Sequence, residues 1–243
     1  MRTRLVATVT IISAIGLSAV AYAAVTPIPP DPYSPDPYGE YSDCPIDNID
    51  GVALQGDAAN DTINGTGNSD LILGGGGNDR IDGKGKADCL YGENGSDQVT
   101  GAGGADYING GAGADELTGN GGSDEIFAGG GDDTIDGNNG DDDIRAVGGD
   151  DRVNSGNGKD EVRAAGGDDR VKAGNGKDLV KGGGGDDRLK GEAGKDEIRA
   201  KNGDDRITDT SGKNKIRCGS GIDRVTTNKQ STVNRDCERI TIE

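Results

Sequence analysis

From residue 56 to residue 226 an aliphatic side chain recurs at every ninth position, from Ile63, Ile72 and Ile81 through to Val225, nineteen times without an insertion. Most are flanked by polar neighbours, exceptions including Leu71-Ile72-Leu73 and Cys89-Leu90-Tyr91. One apolar residue between two outward ones marks a very short strand, because successive strand side chains point to opposite faces. The other six positions of each unit carry turn chemistry. Gly holds position 4 in all but three units (Ala59, Asn68, Lys86), and Gly, Asn or Ala fill most third positions, residue types that allow positive φ and a tight loop. Two units then make one coil of loop, strand, loop, strand. At about 4.8 Å per coil the repeats predict a rod of roughly 45 Å. A period this regular identifies a repeat architecture before anything else.

The flanks complete the organisation. Residues 44–55, with Ile46, Ile49, Val52 and Leu54, read as an N-terminal cap over the exposed end of the stack, and residues 227–243 as a C-terminal cap in which Ile240 and Ile242 alternate as a short strand. Residues 24–43 hold six of the seven prolines and read as an extended spacer. Residues 1–23 combine Arg2 and Arg4, an apolar run and Ala21-Tyr22-Ala23, the pattern of a secretory signal peptide removed after Ala23. The mature chain is therefore expected outside the cell and without a membrane span. In that compartment the four cysteines read as two disulfides, with three possible connectivities. Proximity favours Cys44 with Cys89 and Cys218 with Cys237, since the alternatives tie together the two ends of a rod.

Composition changes the picture in one respect. With 46 Gly, no His, no Trp and a net charge of −18, the chain reads as disordered until the period is seen. Position 6 is Asp in eighteen units, Asn214 being the exception. Stacking brings these carboxylates into two columns, while one buried aliphatic per nine ordered residues returns less than ordering costs. A divalent cation between the carboxylates answers both problems. Carboxylates with glycine-exposed carbonyls are hard oxygen ligands, which select Ca²⁺. Zinc finds no Cys pair at ligand spacing and no His. No catalytic activity is expected, because there is no His or nucleophile motif and the carboxylates repeat identically.

The units GGGGNDRID (74–82), GGAGADELT (110–118) and GGGGDDRLK (182–190) resemble the haemolysin-type (RTX) calcium-binding repeat over 171 residues. The resemblance implies an all-β fold, a right-handed parallel β-roll or solenoid of about 19 nonapeptide repeats, that is disordered without Ca²⁺. Each of its multiple ions lies between one loop and the loop two units later. It assigns side-chain ligands to Asp79, Asp88, Asp97, Asp106, Asp115, Asp124, Asp133, Asp142, Asp151, Asp160, Asp169, Asp178, Asp187, Asp196 and Asp205. The chain departs from the family at Asn214, at position 4 of the first two units, at position 1 (Ala146, Ser155, Asp209) and at position 2, often Lys, Glu or Thr. No protease, acyltransferase-substrate or pore-forming segment accompanies the repeats, so those activities do not carry over.

The outward positions differ along the rod. Residues 56–145 carry a net charge of −15, against +1 for residues 146–226. Arg152, Arg170, Arg188, Arg206 and Arg224 line one sheet, and Arg163, Lys181, Arg199 and Arg217 the other. Such a ladder fits an anionic cell-wall or extracellular polymer, or else a solvated, charge-balanced face. With no interleaved aromatics it predicts no specific nucleic-acid partner. Position 5 alternates Asp and Lys from Asp150 to Lys213, marking either two classes of calcium site or a solvent position that moderates repulsion. Leu71, Leu73, Tyr91, Tyr107 and Phe127 form an outward apolar patch that is either a binding surface or covered by the chain itself. Thr62-Ile63-Asn64 alone matches an ice-binding ladder. The expected function is a secreted calcium-binding roll with a structural, adhesive or surface role; the alternative is a polysaccharide-binding or polysaccharide-active solenoid.

Overall fold

The computed structural model describes Cys44 and residues 49–243. The expected signal peptide, the spacer and Ile46 lie outside the described residues. Within them there is no helix, and the strands alternate between two facing sheets of eleven and thirteen, except that Asn175–Gly176 and Ala193–Gly194 join the same sheet as the strands just before them. Every pairing is parallel. Partners lie eighteen residues apart through the repeats, as in Ile72 with Leu90, Leu90 with Ile108 and Ile135 with Val153. The result is a parallel β-roll of about eleven turns.

Parallel pairing of strands this short needs both faces of the thin interior closed, and the ninth-residue aliphatics provide it. Ile72, Leu90, Ile108, Leu117, Ile126, Ile144, Val162, Val180, Leu189, Ile198 and Ile207 are all completely buried in one continuous cluster. Position 1 shares that interior. Ala128, Ala146, Ala164, Ala173 and Ala200 are also completely buried, because position 1 lies two residues beyond position 8 and faces the same way. The small residues at position 1 are thus a packing requirement as well as a turn requirement.

Positive φ falls at position 4, where the sequence allows it, but at position 2 in place of position 3. Nine position-2 residues adopt it without being glycine, among them Glu93 (74°), Val147 (90°) and Lys201 (90°). A β-branched residue in this region is a true outlier. Position 3 is extended and pairs with the next coil, as Gly76 does with Asn94.

At the N-terminal end, Ala53–Gln55 pairs with Leu71–Leu73 and Leu54 packs on the core, whereas Ile49 is 39% exposed. At the other end Thr232–Val233 and Arg239–Ile242 extend the two sheets with shortened offsets, Val225 facing Ile240. That last strand forms, but Ile240 and Ile242 remain 46% and 58% exposed. The disulfides are Cys44–Cys89 and Cys218–Cys237.

The apolar patch is not a free surface. Leu73, Cys89, Tyr91 and Tyr107 are buried in a second cluster with Cys44, Leu71 and Phe127 packed against it. Ring centroids lie 5.6 Å apart from Tyr91 to Tyr107 and 5.4 Å from Tyr107 to Phe127, and the Arg145 guanidinium closes the row 4.5 Å over Phe127. Replacing Ile135 by Ala in the folded protein is expected to cost about 2–5 kcal/mol. Replacing its exposed neighbour Thr134 by Ala should stay within about 0.5 kcal/mol. Denaturant midpoints of the two variants check the inward–outward assignment.

Candidate metal centre

The chain brings position 6 of every second unit into register. One column runs from Asp61 to Asp223, the other from Asp70 to Asn214. In both, one carboxylate oxygen accepts a hydrogen bond from the backbone N–H of the position-6 residue one coil earlier. Asp79 donates to Asp97 Oδ1 at 2.7 Å, Asp115 to Asp133 at 2.8 Å and Asp187 to Asp205 at 2.9 Å. Asp88 to Asp106 and Asp178 to Asp196 repeat the bond, at 2.8 and 3.0 Å, in the second column.

The second oxygen is treated differently. All fifteen aspartates assigned from the sequence, Asp79 to Asp205 at nine-residue steps, are buried with Oδ2 lacking any hydrogen-bond partner. An orphaned carboxylate oxygen away from water is costly, and a whole column of them calls for a cation. Backbone carbonyls converge on the same places. A methyl group built on Gly110 would sit 2.5 Å from Asp115 Oδ2 and 2.7 Å from the Ala128 carbonyl oxygen; on Gly137, 2.5 Å from Asp142 Oδ2 and 2.6 Å from the Ser155 carbonyl oxygen. Buried carboxylate and carbonyl oxygens from successive coils, without a nitrogen or sulfur ligand among them, form a donor set that fits Ca²⁺.

The ends of the columns separate from the middle. Asp61 Oδ2 accepts from Asp57 N at 2.9 Å, and Asp70 Oδ2 from Thr66 N at 2.6 Å, so the first two loops satisfy their own carboxylates. Asn214 keeps the ladder through Oδ1, which accepts from Asp196 N, while its amide donates to the Ser211 carbonyl at 2.6 Å. Two further residues join the buried, unpartnered set: Asp223 through Oδ2, and Asp209 through both oxygens. Sequence reading missed Asp209 as a candidate, although an aspartate at the inward-facing position 1 was visible.

Burial raises these carboxyls. Desolvation, reinforced by the neighbouring aspartates in the column, pushes Asp88, Asp133, Asp142, Asp169, Asp178 and Asp187 up to about 7. Asp106, Asp115, Asp124, Asp151 and Asp205 rise to about 6, mainly by desolvation.

Position 5 is exposed yet not idle. Asp150 N donates to Asp132 Oδ1, Asp168 N to Asp150, Asp186 N to Asp168 and Asp204 N to Asp186, at 2.7–2.9 Å. This second ladder runs opposite in direction to that of position 6.

No curated protein matches the chain. The RTX calcium-binding nonapeptide repeat family matches it in overlapping stretches, among them 55–88, 82–117, 118–153, 154–189 and 190–225, which together run from residue 55 to residue 225. With most of its length so matched and its buried aspartate columns fitted to the ion, the chain belongs to the family of RTX calcium-binding nonapeptide repeat proteins.

Proposed function

We propose that this is a secreted protein that folds on meeting calcium outside the cell and then serves as a surface-associated structural or adhesive module. The observation that carries the reading is the pair of buried aspartate columns, each carboxylate with one oxygen tied to backbone and the other unpartnered. Export is supported by the two disulfides, which persist in oxidising compartments, and by the signal-peptide pattern of residues 1–23. When bound, calcium supplies the counter-charge that allows ionised aspartates to stay buried. The chain's own contribution is to hold those carboxylates in register through backbone N–H donors and to exclude water from them.

Its contact surface is the outward face of the thirteen-stranded sheet. Arg152, Arg170, Arg188, Arg206, Arg224 and Arg239 occupy consecutive rungs and are exposed, and no ion pair is made by any of them among the described residues. Lys172 and Lys190 stand beside them. On the opposite sheet, Arg145 pairs with Glu125 and Asp143, Arg163 with Asp143 and Glu161, Lys181 with Glu161 and Arg199 with Glu197, at 2.5–3.0 Å. The unneutralised row fits an extended anionic polysaccharide of the cell surface, its charges spaced along a line.

Calcium removal is expected to convert the sheet signal in circular dichroism to coil at neutral pH, with millimolar calcium restoring it. A sheet spectrum unchanged in chelator would refute calcium-dependent folding. Because the folded carboxyls lie above their unfolded value, the metal-free roll binds protons that the coil does not, and so loses stability as pH rises between the two values. Lowering the pH from about 7.5 to about 5 in metal-free buffer is therefore expected to recover sheet, while protons displace calcium over the same range. For the contact face, calcium-loaded protein is expected to bind polygalacturonate, and binding should be lost when Arg152, Arg170, Arg188 and Arg206 are changed to Ser. Equal retention of that variant, or preference for single-stranded DNA, would exclude the polysaccharide reading.

A further inference from the structure

The eighteenth unit departs from the repeat twice, at position 1 and at position 6, and the structure links the two departures. At position 6, Asn214 retains the oxygen that accepts from Asp196 N but carries an amide where every other column member from Asp79 to Asp223 has an unpartnered oxygen. One negative charge is lost from the column there. At position 1, where the interior otherwise holds Gly, Ala, Ser or Cys, Asp209 is 1% exposed with neither carboxylate oxygen hydrogen-bonded. Among the described residues, the one polar side chain bonded to this residue, Thr227, donates to its carbonyl and leaves the carboxylate untouched.

The Asp209 carboxylate is aimed at the preceding loop. A methyl group built on Gly191 would lie 2.3 Å from Asp209 Oδ2 and 2.8 Å from Asp196 Oδ2, so two unpartnered carboxylate oxygens from successive coils converge on one point. In an ordinary coil the oxygen opposite the aspartate at that point is a backbone carbonyl, as Ala200 O is for Asp187 at Gly182. Here a side-chain carboxylate has taken over that position. Two buried carboxylates facing each other repel unless a cation or a shared proton lies between them.

We propose that Asp196 and Asp209 hold a calcium ion at the C-terminal end of this loop column, with Asp209 supplying from position 1 the carboxylate that Asn214 no longer supplies from position 6. The inference rests on the reading of the loops as calcium sites and adds a ligand that the nonapeptide pattern does not contain. The charge balance of the last even loop is thereby kept, and Thr232–Val233 still pairs on the strand that follows it, although with a shortened offset.

The test counts calcium ions per full-length chain by native mass spectrometry and equilibrium dialysis. Asp209→Gly is expected to bind one ion fewer than the parent, and the double change Asp209→Gly with Asn214→Asp, which restores the repeat at both positions, is expected to regain it. Asp209→Asn keeps the side-chain shape and should also lose one ion while its dichroism remains that of folded sheet. An undiminished count in Asp209→Asn would overturn the site and leave a proton shared by the two carboxyls. Loss without recovery in the double variant would overturn the exchange between positions 1 and 6. A parent chain that binds no calcium would refute the calcium reading itself, an outcome distinct from both.

Discussion

Everything in this roll depends on how a buried aspartate is treated on its two oxygens. One oxygen receives the N–H of the preceding coil, a bond repeated at 2.7–3.0 Å along both columns. This bond fixes the coil-to-coil offset at eighteen residues as firmly as the strand ladder does. The other oxygen is left buried and unpartnered, and desolvation drives the carboxyl upward, to about 7 at Asp133 and Asp169. A fold that accepts this cost at fifteen successive sites is organised for a ligand that removes it. The same geometry makes the metal-free state sensitive to protons, since protonation relieves the identical penalty.

Much of this was legible in the chain. The nine-residue period gave the parallel stacking, the position of each inward aliphatic and the two aspartate columns, because a fixed repeat leaves only one register that buries every Ile, Leu and Val together. The disulfides followed from proximity. The location of the positive-φ residues was not legible: Gly at position 4 announces itself, but Lys84, Glu93 and Val147 at position 2 have no intrinsic preference for that conformation and adopt it because the stack imposes it. Asp209 was visible as a departure but not as a partner of Asp196. Recognising it required knowing that position 1 faces inward, and a unit beginning with glycine shows no side chain from which to read that.

The two outer sheets show how one repeat yields unlike surfaces. On the eleven-stranded sheet, cations at position 9 stand one coil along from Glu or Asp at position 7, and diagonal pairs such as Arg145 with Glu125 and Arg163 with Asp143 result. The thirteen-stranded sheet has no acidic residue in either outward row from Arg152 onward. Its arginines at position 7 stack on one another instead. Like charges on adjacent rungs disfavour the fold slightly, so their accumulation over six rungs is a property of the surface and adds nothing to the stability of the roll. The early aromatic row is the opposite case: an outward apolar stripe that burial has made part of a second core.

The Asp and Lys alternation at position 5 finds a physical meaning in the two ladders. On the edge that carries Asp132, Asp150, Asp168, Asp186 and Asp204, each coil is held from both sides. The position-6 carboxylate reaches back to the preceding coil, and the position-5 carboxylate accepts from the following one. On the other edge the position-5 ladder ends where Lys159 donates its N–H to Asp141, because lysine offers no acceptor to the next coil. The exposed position-5 oxygens are used on backbone at the rim, outside the buried columns. The two edges therefore differ in how successive coils are locked to one another, and again at their C-terminal ends, where one column keeps Asp223 and the other carries Asn214.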